Sequence, residues 1–345
     1  MIPTRTTAIG ASLVAAAMLV GCAGEGSSVA PQQSSTGDPE AGWSADTLDI
    51  DFATYNPLSL IIKEQGWLED ATAGEVAVNW VQSTGSNKAN ELLRAGAADV
   101  ASTAGSAALL ARANGLPIRT IDVYSQPNWS AILVPAASEV TEVSQLQGAS
   151  IAATKGTDPY FFLLQSLAAG GLTAADVRVQ NLQHADGLTA LQSGAVEAWS
   201  GLDPMLSSSL ADGSARVVYD NIDFNSYGFL NATEEFLEAS PDLAQLVVDA
   251  YERAREFAIA EPEETASILA EVAGIDPEVA TAVIRDRTNF ELDPAPGDAQ
   301  RQVLEFIGPI FVESGDVTSQ DAVDAALDSL FEPRFADAAD PGSFS

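Results

Sequence analysis

Short apolar runs rich in Val and Ile alternate with amphipathic stretches through the first two thirds of the chain. Runs of about four to eight such residues, bounded by turn formers, predict strands. They fall at 48–53, 76–82, 99–103, 120–124, 130–134, 150–154, 177–182, 197–200, 216–219 and 227–230. Helical periodicity fills most of the gaps. Strand–helix alternation of this kind predicts a largely parallel sheet covered on both faces. From about Ala232 the pattern changes to helices alone, at 241–261, 263–273, 277–286, 299–313 and 319–330. These are expected to pack around the first part of the fold.

The helix starts carry the candidate chemistry. Three times a strand is followed by a capping residue and then a proline: Asn56-Pro57, Asp158-Pro159 and Asp203-Pro204. Asn and Asp suit the cap, and proline suits the first helical position because its missing N–H has no partner there anyway. Two further helices start after small residues, at Gly85-Ser86-Asn87 and Ala104-Gly105-Ser106. In open α/β sheets ligands sit beyond the carboxyl ends of the strands, where helix starts converge. Free backbone N–H groups there hold an anion without Lys or Arg. Every α/β protein needs caps; the pointer to a site is five such termini with small residues.

The ends of the chain and its charge narrow the class. Arg5 gives a short positive start, and 8–20 is apolar apart from Gly10 and Ser12. That is the length of an export signal and too short for a membrane span. Leu19-Val20-Gly21-Cys22 follows and resembles a bacterial lipobox, which makes Cys22 the expected lipidated residue, with 1–21 removed. Cys22 is the only cysteine, so no intramolecular disulfide forms. Residues 22–46 are rich in Gly, Ser, Pro and Gln and read as a tether. About 300 residues remain, enough for a large core divided into two lobes. Hydrophobic residues make up 46% of the chain, so it is globular. A net charge of −34 excludes nucleic-acid binding through phosphates and fits a salty habitat, where screening relieves self-repulsion.

The stretch AILVPAASEVTEVSQLQGASIAATKGTDPYFFLLQSLAAGGL, from Ala131, resembles the second-lobe entry of the aliphatic sulfonate and taurine binding proteins. There a strand ending in Val-Pro leads to a Leu-x-Gly turn, a strand and a Lys-Gly-(Ser/Thr) loop, here Lys155-Gly156-Thr157. LQHADGLTALQSGAVEAWSGLDPM resembles the next helix, strand and acidic-Pro helix start of that family. Upstream, ATYNPLSLIIKEQGWLED, GSNKANELLRAGAADVAST and AGSAALLARANG resemble its first-lobe strand, helix and ligand loops. The resemblance implies an α/β, two-lobe, type II periplasmic-binding-protein fold, with two mixed, mostly parallel sheets flanked by helices and a helical C-terminal region. Lobe I would comprise 47–134 and 225–335, lobe II 135–224, and 336–345 a tail. The two hinge crossings would fall near 134–138 and 221–226.

The resemblance also implies the function: an exported, lipid-anchored capture protein of an ABC importer. It would act as a monomer with a membrane permease and its ATPase, on the outer face of the cytoplasmic membrane or in the periplasm, and need no cofactor or metal. A sulfonate remains anionic and needs hydrogen-bond donors. The candidates are Gly105, Ser106, Gly156 and Thr157, with Ser86 at its own helix start and Thr54, Tyr55 and Asn56 from the first loop. Asp158 and Asp203 already charge two of these termini and would repel an anion. Either they point away as caps, or one receives the ammonium of a zwitterion such as taurine, a role open to Asp186 as well. Lys155 contacts the anion or lies on the surface. His184, the only histidine, lies near the cleft or is a plain cap neighbour. Tyr160 is the aromatic expected to face the cleft. Trp129, Trp199, Tyr124 and Tyr227 wall an apolar tail or belong to the core.

Same-fold binders of nitrate, a thiamine pyrimidine precursor or another small organic anion remain alternatives, since substrate follows from a few cleft residues. An enzyme of the pyrimidine-precursor-synthase kind needs a cysteine-rich motif and more histidine than this chain has. No HExxH or CxxC spacing occurs. A purely structural lipoprotein would not need Gly and Ser at so many helix starts.

Overall fold

A computed structural model describes residues 42–344. The expected export signal, Cys22 and the tether up to Ala41 lie outside those residues. The strands described are β1 (Thr47–Phe52), β2 (Ala77–Gln82), β3 (Val100–Ala104), β4 (Ile118–Pro127), β5 (Ser130–Pro135), β6 (Ser150–Ala153), β7 (Arg178–Asn181), β8 (Ala198–Leu202), β9 (Ala215–Tyr219), β10 (Gly228–Thr233) and β11 (Thr288–Asn289). One sheet runs in the order β11, β4, β10, β3, β1, β2, and the other β7, β6, β8, β5, β9. Helices flank both, giving two α/β lobes, lobe I on the first sheet and lobe II on the second.

Parallel pairing is confined to β2, β1 and β3 in lobe I and to β7, β6 and β8 in lobe II. The remaining pairs are antiparallel. The sheets are thus mixed and mostly parallel, as expected: β4 and β9 point the same way as the parallel set of their own sheet, and only β10 and β11 in lobe I and β5 in lobe II oppose it. A parallel neighbour needs a crossover that carries the chain back, usually a helix. β5 and β10 instead enter their sheet directly from the other one, and each pairs antiparallel to the strands beside it.

The chain passes between sheets twice, at 128–129 and at 220–227. The first passage corrects the expected crossing at 134–138. Ser130–Pro135 already pairs with β8 and β9 and belongs to lobe II. The apolar pattern runs through 118–135 almost unbroken, and periodicity alone does not say which sheet a strand joins. The two passages are tied side by side. Asn225 Oδ1 accepts from Ser130 N at 3.0 Å, and Asn225 Nδ2 donates to Asn128 Oδ1 at 3.1 Å.

The first helix, Pro57–Gln65, shows how local sequence sets an element. Asn56 Oδ1 accepts from Ser59 N, Pro57 opens the helix, and Gly66 closes it at φ 66°, a left-handed angle that suits glycine. Leu58, Ile61 and Ile62 are fully buried, each stabilising the fold by about 1.5–3 kcal/mol. This face packs on the long helix Pro241–Ala260, one of the expected C-terminal helices. Arg255 of that helix fastens it to β4, donating to Val123 O at 2.7 Å and Tyr124 O at 3.2 Å. Beyond the helices, Phe335 and Ala336 are buried and the Phe344 ring lies 6.5 Å from that of Trp67, so the C-terminal segment packs on lobe I.

The lobes meet closely. Helices Gly105–Ala113 and Asp298–Glu313 of lobe I pack on Asp158–Ala169 of lobe II, where the Phe161 and Phe311 rings stand 4.6 Å apart.

Candidate ligand cleft

Three helix starts face one another across the seam between the lobes: Ser86–Ala95 from lobe I, and Asp158–Ala169 and His184–Gln192 from lobe II. A Cβ on Gly85 would stand 3.0 Å from both His184 Nε2 and Asn87 Oδ1. One on Gly156 would stand 3.6 Å from the Asn87 Cβ. Glycine at 85 is what lets the lobes approach this closely. None of the three helices has a side-chain cap. Lys88 N and Tyr160 N turn back to Gly85 O and Thr157 O, and Pro159 has no N–H, but the other first-turn N–H groups have neither an intrahelical partner nor a capping oxygen. Three helix starts at one seam bring backbone donors together for an anion, with Asp158 and Asp186 in the first turns of two of them and no acidic residue in that of the Ser86 start.

The fourth helix start is used differently. Gly105 N donates to Tyr227 O at 2.8 Å, and Ser106 N to Ser226 Oγ at 3.0 Å. These donors, expected to hold the ligand, instead fasten the second crossing. Asp158 completes the knot. Its carboxylate is buried and accepts four hydrogen bonds: from Ser106 Oγ (2.6 Å), Ser226 Oγ (2.7 Å), Ser226 N (2.8 Å) and Trp129 Nε1 (2.8 Å). Burial raises its pKa, and those donors pull it back. With both oxygens occupied, Asp158 does not offer itself to a ligand ammonium.

Asp203 is also spoken for. Its Oδ1 accepts from Ser207 N (2.9 Å) and Ser207 Oγ (2.6 Å), and its Oδ2 from Arg287 Nε at 2.5 Å. Burial raises the Asp203 pKa against the pull of Arg287 and Ser207. Arg287 follows a lobe I helix, so this ion pair is a second bond across the seam. Both aspartates act as fasteners, and the expected ammonium role is corrected for each.

The first loop builds a buried polar knot beneath the cleft. Tyr55 OH bonds Ser83 Oγ and Ser102 O, each at 2.9 Å. Asp51 accepts from Ser83 Oγ at 2.6 Å and from Ser102 N at 2.8 Å. Burial pushes Asp51 up to about 7, despite these bonds. Tyr55 also meets Trp129 edge to face, with centroids 6.1 Å apart, and Thr54 lines a small cavity beside them with Arg287. Asn56 is buried, caps its helix and donates to Tyr251 OH at 3.0 Å.

Of the other expected residues, Gly156 and Thr157 lie at the seam, and Thr157 Oγ1 donates to Thr154 O at 2.6 Å. Ser86 Oγ accepts from Ala104 N at 2.9 Å. Lys155 is exposed, with its Nζ 5.3 Å from the centre of the Tyr160 ring. Tyr160 is buried, packs against Phe161 and lies beside Asp316 of lobe I. Asp186 is exposed. Trp199 and Tyr124 are core residues. His184 is buried at the seam. Sequence reasoning gave no role to Asp51, Asn87, Ser226 or Arg287. Asp51 had a local signal, an acidic residue inside a strand; Arg287 had none, being 84 residues from Asp203.

Comparison with known proteins agrees with this architecture. The NMT1/THI5-like family model matches residues 59–265. A curated chain of Escherichia coli K12, carrying the provisional name of an aliphatic sulfonates-binding protein, is 27% identical over 239 residues, which is 69% of this chain and 75% of that one. The alkanesulfonate-binding protein SsuA from Xanthomonas axonopodis pv. citri, solved with MOPS bound, superposes with a TM-score of 0.74 at 24% identity, covering 82% of this chain and 98% of its own. The periplasmic aliphatic sulphonate binding protein SsuA from Escherichia coli gives 0.70 at 25% identity, covering 84% and 93%. These similar proteins are binders by name. Matched over more than half its length, the chain belongs to the NMT1/THI5-like family.

Proposed function

We propose that this chain is the extracytoplasmic solute-binding component of an ABC importer, closing on a small sulfonate for sulfur acquisition. The observation that carries the reading is the convergence of three uncapped helix starts, from both lobes, at one seam. A sulfonate presents oxygens in several directions and stays charged, so it takes donors from both lobes at once. Its binding then favours the closed arrangement over the open one, which is a signal a permease can read. The names of the similar proteins support the same ligand class. The role is capture without turnover. The chain would be exported and held at the membrane through Cys22, as a monomer, and would deliver its ligand to a permease driven by an ATPase.

A thermal-shift screen of the full-length chain tests this. The panel is taurine, methane- to octanesulfonate, isethionate, nitrate, sulfate and a thiamine pyrimidine. A ligand at a hundred times its Kd stabilises the native state by about 2.7 kcal/mol, a shift of a few degrees. A response confined to sulfonates is expected. A response to nitrate or the pyrimidine alone would discard the substrate, and turnover of any compound would discard the binder.

A further inference from the structure

His184 sits on the seam with one nitrogen accounted for and one not. The ring is 1% exposed. Nδ1 lies 3.2 Å from Thr154 Oγ1. That hydroxyl has a single hydrogen, which goes to Leu182 O at 2.7 Å. Thr154 Oγ1 must therefore accept from Nδ1–H, and the ring's proton is on Nδ1. Nε2 is left as a bare acceptor. It is buried, has no hydrogen-bond partner among the described residues, and points at Gly85 of the opposite lobe. Asn87 Oδ1, beside the same glycine, is a second buried acceptor without a partner. The Asn87 amide can present its nitrogen by a half turn, so the fixed preference belongs to His184.

An anion's oxygens are repelled by a lone pair, so the sulfonate head belongs with the helix N–H groups and not against Nε2. A bare buried acceptor calls for a donor. Its chemistry is limited further by charge. The two buried aspartates nearest the seam, Asp158 and Asp203, already have both oxygens bonded by protein donors. Of the three helix starts at the seam, the Ser86 start has no acidic residue in its first turn, while Asp158 and Asp186 lie in the first turns of the other two. A buried ammonium would find no buried carboxylate free to balance it, since Asp186, in the first turn of the His184 helix, is exposed, whereas a hydroxyl carries a donor and no charge.

We propose that the ligand is a short hydroxylated sulfonate whose hydroxyl donates to His184 Nε2, which makes His184 a specificity-determining residue. This rests on the sulfonate reading above and narrows it. The preference follows from leaving a buried acceptor unmade when a plain alkyl chain replaces the hydroxyl.

The test is calorimetry on the full-length chain with isethionate, propane-1-sulfonate and taurine. The first two have the same number of heavy atoms and differ by a hydroxyl for a methyl. Isethionate is expected to bind about tenfold tighter than propane-1-sulfonate, and tighter than taurine. His184→Leu should bring isethionate and propane-1-sulfonate to within about twofold, while His184→Gln, which keeps an acceptor, should retain part of the preference. The wild-type ratio alone decides if either variant fails to fold. Equal wild-type affinities, a preference for taurine, or proton uptake accompanying propane-1-sulfonate binding would overturn the proposal. The last would mean that Nε2 becomes a donor. Silence towards all three compounds would instead overturn the sulfonate reading, and this inference with it.

Discussion

Ser106 Oγ of lobe I donates to Asp158 Oδ1 of lobe II at 2.6 Å, and the same carboxylate accepts from both crossings, through Trp129 and Ser226. One side chain thus holds two lobes and both connections between them. Asp158→Ala would strand four donors in a buried place. It is expected to cost about 2–4 kcal/mol by urea denaturation. Asp158→Asn should cost less than half as much, because the two serine hydroxyls can turn to accept from the new amide. Equal costs would show that the charge, not the bonding geometry, sustains the contact.

Arg287 and Asp203 form the second cross-lobe bond, with side chains only 15% and 5% exposed. Removing one partner of a buried pair leaves the other charge uncompensated. Arg287→Met is expected to destabilise by about 3 kcal/mol, and the Arg287→Met, Asp203→Asn double variant by less than the sum of the singles. Strict additivity of the two losses would mean the pair does not couple.

Burial lowers the His184 pKa to about 4, from 6.5. Between those values the unfolded chain takes up a proton that the folded chain refuses. His184 therefore contributes a loss of stability as pH falls from about 6.5 to about 4, on the order of 3 kcal/mol. Urea midpoints at pH 7, 5.5 and 4.5 should show His184→Leu losing less than the wild type over this interval. The same pH slope in both proteins would refute the assignment.

Asp51 works in the opposite sense. Its folded pKa is about 7 against 3.8, so the folded chain keeps a proton that the unfolded chain has released. Its contribution is full at low pH and is lost as pH rises towards about 7. Asp51→Asn, which cannot ionise, should gain stability relative to the wild type between pH 4 and pH 8, with little change below pH 4. The His184 and Asp51 windows overlap, so each single variant should unmask the slope due to the other. Thermal midpoints across that range measure both.

Most elements were legible in the sequence because they are local. Asn56, Pro57 and the apolar residues that follow specify a helix whatever surrounds it. The convergence of helix starts was readable in part, since the termini of an α/β sheet share one edge: the Ser86 and Asp158 starts meet at the seam, but the Gly105 start is spent on the second crossing and the His184 start was not among those expected. What the residues could not convey was direction. Asp158 and Asp203 announce helix starts by the prolines beside them, yet which partner each carboxylate meets depends on segments far along the chain, Ser226 for one and Arg287 for the other. The first crossing was misplaced for a related reason: β4 and β5 are one apolar extended stretch, and only their hydrogen-bonding partners separate them. His184 reads as an ordinary residue near a cap until Thr154 and Leu182 reveal where its proton lies.

Asn225 joins the two crossings by bonding Ser130 N and Asn128 Oδ1. Two ribbons fastened side by side form a strip, and a strip flexes easily across its width while resisting shear along it. The lobes should part like the covers of a book about a single axis through this strip, opening the three helix starts to solvent together and not in succession.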